Sequence, residues 1–79
     1  MKEYQIFVTA KQGIYDPAGK TTKSALDSLG YKGVNDLKIG KFIQMQCEDG
    51  VSLDTVTEMC EKLLVNPIIE DFRIEETGV

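Results

Sequence analysis

The hydrophobic period of this chain changes at one place, Asp16-Pro17, and that change restricts the folds open to it. Before it, "EYQIFVTA" (3–10) alternates. Tyr4, Ile6, Val8 and Ala10 share one face and Glu3, Gln5, Phe7 and Thr9 the other, the pattern of a half-buried strand. After it, Ala18, Thr22, Ala25 and Leu29 recur at helical spacing, with Leu26 beside them. Pro17 suits a first helical turn because its missing N–H would have no partner there. It also biases Asp16 away from helical angles, so the Asp16 carboxylate can cap the orphan N–H groups. Gly30 then predicts the helix end, as the left-handed residue after the cap.

The same reasoning carries through the rest of the chain. Stretches 34–39 and 42–48 predict two short strands joined at Gly40-Lys41 as a tight hairpin. Leu37 and Ile39 alternate in one, and Ile43, Met45 and Cys47 in the other. Ser52 predicts the cap of a second helix with Leu53, Val56, Cys60, Leu63 and Leu64 as its apolar stripe, stopped by Asn66-Pro67. A last strand is expected from about 68 to 75, with Phe72 and Ile74 opposite Asp71 and Arg73. The predicted order is β-α-β-β-α-β. It describes an α+β, ferredoxin-like sandwich, a four-stranded antiparallel sheet with both helices on one face, as a single domain over 1–79.

A chain of 79 residues buries only about 60 % of its unfolded surface. Small domains of this kind draw extra stability from disulfides, metals or self-association. Two cysteines and no histidine make self-association the expected helper. The alternating N-terminal pattern lacks the apolar block of a signal peptide, so a reduced, cytoplasmic setting is expected. Thirteen acidic residues against nine basic ones leave a net charge of −4. That charge repels phosphate backbones, and no basic run marks a membrane surface, so neither nucleic acid nor membrane is expected as partner.

The chemistry-bearing residues are few. No histidine is present as a base near neutral pH, and no Ser-His, Cys-His or zinc-ligand spacing occurs. "GKTTKS" (19–24) is similar to the end of a phosphate-binding loop, but it lacks the upstream glycine and falls inside the first helix. The acidic neighbours Glu70-Asp71 and Glu75-Glu76 point to opposite faces of a strand. Cys47 and Cys60 occupy core positions, where cysteine acts as a small hydrophobe. No catalytic, cofactor-binding or metal-binding residue is therefore assigned. What stands out is surface. Phe7 and Phe42 should meet on the open face of the sheet, an arrangement that stacks bases in RNA-recognition domains. The acidic surroundings favour burial against another copy or a partner instead. Ile14 and Tyr15 are bulky residues in a loop, placed either over the end of the core or against a neighbour.

Three ordered blocks carry a resemblance. They are "DPAGK" (16–20) with "SALDSLGY" (24–31), "IGKFIQM" (39–45) and "EMCEKLLVNPIIEDFRIE" (58–75). Together they resemble the PurS family, the small subunits of phosphoribosylformylglycinamidine synthase. Phe42 and Phe72 stand where that family often has tyrosine. Lys38 stands where it often has arginine, which weakens any bidentate carboxylate contact.

The resemblance implies a non-catalytic assembly subunit acting in the fourth step of de novo purine biosynthesis. It implies a homo-oligomer, a dimer or a dimer of dimers, that joins a PurL-type synthetase to a PurQ-type glutaminase and supports ammonia transfer. ATP and magnesium would be used by the synthetase, with no cofactor in this chain. The structural or interface positions it points to are Asp16, Pro17, Gly19 and Lys20, then Gly40 and Lys41, then Asn66 and Pro67. Phe7, Ile14, Tyr15 and Phe42 join them from the surface argument. The topology, with its glycine-containing loop between the first strand and the first helix, also admits an ACT-like regulatory module, a kind that binds small ligands (amino acids) at a dimer interface.

Overall fold

The computed structural model describes residues 1–78. Its strands are β1 (Lys2–Ala10), β2 (Lys41–Cys47) and β3 (Glu70–Gly78), and its helices are α1 (Pro17–Ser28) and α2 (Leu53–Met59). α2 runs on into a π-helical turn over Cys60–Leu64, where the Val65 N–H reaches back to the Cys60 carbonyl at 2.9 Å. The sheet has three strands in the order β2-β1-β3, both neighbours antiparallel to β1. The α+β class and a ferredoxin-like order with two helices hold, with one strand fewer than expected.

β1 is central and its alternation is obeyed. Tyr4, Ile6 and Val8 are all but fully buried, and α2 meets them with Val56 and Cys60, four residues apart on one helical face. Val65 closes the cluster. The phenol of Tyr4, buried with its ring, donates to the Val51 carbonyl at 2.9 Å. This satisfies the one polar group that β1 brings inside. Ser52 caps α2 through its Oγ, which accepts from the Thr55 N–H at 3.3 Å.

Three expectations are corrected. Among the described residues, 34–39 pair with no strand, so the sheet has three strands rather than four. Gly40-Lys41 makes no hairpin turn. Gly40 is instead pressed against β1, where a Cβ would collide with the Val8 carbonyl oxygen, and the chain passes through it into β2. The last strand begins at Glu70 because Asn66 to Ile69 form a turn, with the Asn66 carbonyl accepting from the Glu70 N–H at 2.8 Å.

The helices also do not share one face of the sheet. α2 covers it, whereas within α1 only Gly19 is buried. Of the α1 stripe, Ala18, Ala25 and Leu29 are exposed. α1 and the extended return after it stand out as an arm, and the molecule measures 49 × 28 × 14 Å.

Candidate functional site

The arm is built on Asp16. Its backbone is extended, its Oδ1 accepts from the Gly19 N–H at 3.1 Å, and its Oδ2 accepts from the Ile39 N–H at 2.9 Å. One carboxylate therefore caps α1 and ties the helix start to the chain returning from its far end. These two backbone donors, Ile39 first, hold the Asp16 carboxyl below its ordinary value of 3.8. Gly19 permits the close approach, since a Cβ there would run into the Leu37 carbonyl oxygen. At the far end, Gly30 has φ of +95°. Its N–H bonds to the Asp27 carbonyl at 3.1 Å, and the Tyr31 N–H to the Leu26 carbonyl at 3.0 Å, the double closure of a Schellman motif. The helix ends where Gly30 predicted.

Beside this junction lies a cavity of about 590 Å³, lined among others by Lys11, Ile14, Tyr15, Lys20, Asp36 and Lys38. A second, of about 420 Å³, shares Ile14, Tyr15 and Asp16 with it and reaches Pro17, Gly40 and Lys41. Ile14 is 40 % and Tyr15 71 % exposed. Tyr15 thus stands away from the core, whereas Ile14 is more than half covered. The structure brings Ile14, Tyr15, Asp16, Pro17, Lys20, Gly40 and Lys41 to one end of the molecule.

The Lys41 ammonium has a specific partner, the Leu64 carbonyl at the end of the second helical segment, at 3.3 Å. There it satisfies an acceptor that the helix leaves free and complements the negative end of its dipole. Asn66 and Pro67 sit in the exposed turn that follows. Asn66 Oδ1 accepts from the Ile68 N–H at 3.2 Å, and its own N–H donates to Glu70 Oε1 at 2.8 Å. Asn66 is thereby committed to the turn.

The open face of the sheet carries a second surface. Phe7 lies directly opposite Phe42 on β2 and Arg73 on β3. The two rings are 5.2 Å apart, and the Arg73 guanidinium sits 4.4 Å from the centre of the Phe7 ring. Phe42 remains 54 % exposed. Arg73, which also pairs with Glu75 at 3.1 Å, completes the cluster; alternation places it on this face. The β1–β3 register is what brings it onto Phe7. Flanking it, Lys11 pairs with Asp71 at 3.0 Å, and Glu3 accepts from the amide nitrogens of Gln5 and Gln44.

Nothing in either surface resembles an activated nucleophile. Cys60 is enclosed in the core, where burial pushes its thiol up and keeps it protonated. Among the described residues no group of three or more acidic or cysteine side chains could hold a metal ion. No helix is long and apolar enough to cross a membrane. Both surfaces expose apolar side chains, Ile14 and Tyr15 on one and Phe42 on the other.

A family model described as "PurS: Phosphoribosylformylglycinamidine (FGAM) synthase" matches residues 3–78. A phosphoribosylformylglycinamidine synthase subunit PurS from Bacillus subtilis is 42 % identical over 77 residues, covering 95 % of this chain and 92 % of that protein. A solved B. subtilis PurS chain in a C2 crystal form superposes with a TM-score of 0.88 at 40 % identity, over 99 % of this chain and 100 % of that one. The superposition therefore spans the arm as well as the sheet. A chain in a structure of PurLQS from Thermotoga maritima gives 0.78 at 28 % identity, covering 96 % of each chain.

Proposed function

The chain belongs to the PurS family, and from that premise we propose that it is the non-catalytic assembly subunit of phosphoribosylformylglycinamidine synthase. The reaction is the fourth step of de novo purine biosynthesis, in which formylglycinamide ribonucleotide, glutamine and ATP yield formylglycinamidine ribonucleotide. The observation that carries the reading is the likeness to a chain of the T. maritima PurLQS structure along nearly the whole length. In this role the chain joins a PurL-type synthetase to a PurQ-type glutaminase, so that ammonia released from glutamine reaches the synthetase. ATP and magnesium act in the synthetase, the complex works in the cytoplasm, and the subunit is a homo-oligomer, a dimer or a dimer of dimers. Its two surfaces, the Ile14–Tyr15 end and the Phe7–Phe42–Arg73 cluster, are where it meets its neighbours.

The test measures synthase turnover by the matching synthetase and glutaminase, with and without this protein, from glutamine and from free ammonia. An assembly subunit is required with glutamine and dispensable with ammonia. Equal glutamine-driven rates with and without it refute the reading.

A further inference from the structure

We propose that Asp49 is a site of spontaneous covalent modification, where the chain isomerises to isoaspartate through attack of the Gly50 amide nitrogen on the Asp49 side chain. Among the aspartates and asparagines of the sequence, Asp49 alone is followed by glycine. Glycine brings no Cβ to shield its nitrogen, and its backbone is free to turn that nitrogen towards the neighbouring carboxyl. Asp16 and Asn66 precede prolines, which have no N–H to give up. Asp27, Asp54 and Asp71 are held in α1, α2 and β3. Asn35 and Asp36 precede Asp36 and Leu37, whose side chains crowd the attacking nitrogen.

The place is open. Cys47 ends β2 and Leu53 begins α2. Between them the chain turns at 48–51, where the Val51 N–H donates to the Glu48 carbonyl at 3.0 Å. Asp49 and Gly50 are the two central residues of that turn. The Asp49 side chain is 82 % exposed, and its ion-pair partner is the Met1 ammonium at 3.2 Å. Among the described residues no acceptor holds the Gly50 N–H. A Cβ at Gly50 would meet nothing within 4 Å, so no neighbour blocks the rotation that brings nitrogen and carboxyl together.

The reaction needs only water. The Gly50 nitrogen bonds to the carbon of the protonated Asp49 carboxyl. Its proton and the carboxyl hydroxyl leave as water, and a succinimide ring joins the two residues. Water then reopens the ring. Opening at the main-chain carbonyl routes the chain through the former side-chain carbon and frees a carboxylate at the old backbone position, with no net change of mass. The main chain is longer by a methylene. Two residues on, the Val51 carbonyl accepts from the buried Tyr4 phenol at 2.9 Å, and Ser52 beyond it caps α2. A buried hydroxyl deprived of its acceptor is costly, so the modified chain is the less stable one.

Ageing the full chain for several weeks at physiological temperature and neutral pH tests this. The readouts are peptide mapping and methyl transfer from S-adenosylmethionine by an isoaspartate methyltransferase. Isoaspartate is expected at position 49 ahead of every other position. Asp49→Asn, with ammonia as a better leaving group, should accumulate it several-fold faster. Gly50→Ala should slow it several-fold with the circular dichroism unchanged. The separated isoaspartate form should melt below the unmodified chain. No isoaspartate at 49, an equal rate in Gly50→Ala, or faster change at another aspartate overturns the site, and coincident melts overturn its link to the core.

Discussion

The Asp16 carboxylate and the Ile39 N–H, twenty-three residues apart, are joined by a 2.9 Å hydrogen bond. Because the same carboxylate caps α1, both ends of the arm depend on one ionised group. The pH dependence has a definite sign. The folded state holds the carboxyl below its ordinary 3.8, so its contribution is present above that value and is lost as the pH falls through the folded-state value. Asp16→Asn keeps a single acceptor oxygen for two donors. It is expected to lower the melting midpoint at neutral pH, and the gap to wild type should close as the solution is acidified below 3.8. Thermal melts of both proteins across this range check it; a gap independent of pH contradicts it.

Gly40 makes a different demand on the chain. Its Cα faces the Val8 carbonyl so closely that any Cβ must displace β1 or β2. Gly40→Ala is expected to cost about 1–3 kcal/mol, the usual range for overpacking. Gly50, where a Cβ would meet nothing within 4 Å, is the control, and Gly50→Ala should stay within about 0.5 kcal/mol. Urea unfolding of the two variants tests the contrast, and equal midpoints would show that β1 can yield.

These two positions also show what local sequence reveals. Alternation found β1, and Asp16-Pro17, Gly30 and Ser52 marked helix ends that the structure places where expected. Each such signal acts within a few residues. The strand expected at 34–39 failed because alternation of Leu37 and Ile39 reports an apolar side, not a partner for the backbone. Gly40 looked like a turn because glycine serves both turns and close approaches, and the approach involves a strand over thirty residues earlier. The α1 stripe likewise announces an apolar face without naming the surface it covers. Alternation put Arg73 on the same open face as Phe7 and Phe42, but only the β1–β3 register sets it directly opposite Phe7.

Cys60 tests the small core directly. It is fully buried against β1, and burial raises its thiol above the ordinary range. Cys60→Ser puts a hydroxyl in a place with little to bond and should cost about 1–3 kcal/mol. In the wild type, alkylation of Cys60 near neutral pH should proceed only as fast as the protein opens, and urea should accelerate it. Peptide mapping after timed alkylation reads this, and rapid labelling in the native state would contradict an enclosed thiol.

Phe42 is the position where stability and assembly separate. Its ring packs on Phe7 at 5.2 Å yet stays half exposed. Removing it forfeits an aromatic pair, about 0.5–1.5 kcal/mol, and leaves the buried cluster of Tyr4, Ile6 and Val8 untouched on the other face. If the open face meets one of the large subunits, Phe42→Ala lowers glutamine-dependent turnover several-fold at limiting subunit concentration and spares the ammonia-driven rate. Raising the variant's concentration should restore the glutamine rate, because the loss is in binding. The same variant distinguishes the base-stacking role of such aromatic pairs. A low-salt RNA shift present in wild type and lost in Phe42→Ala, with turnover unchanged, would move this surface from protein contact to nucleic acid.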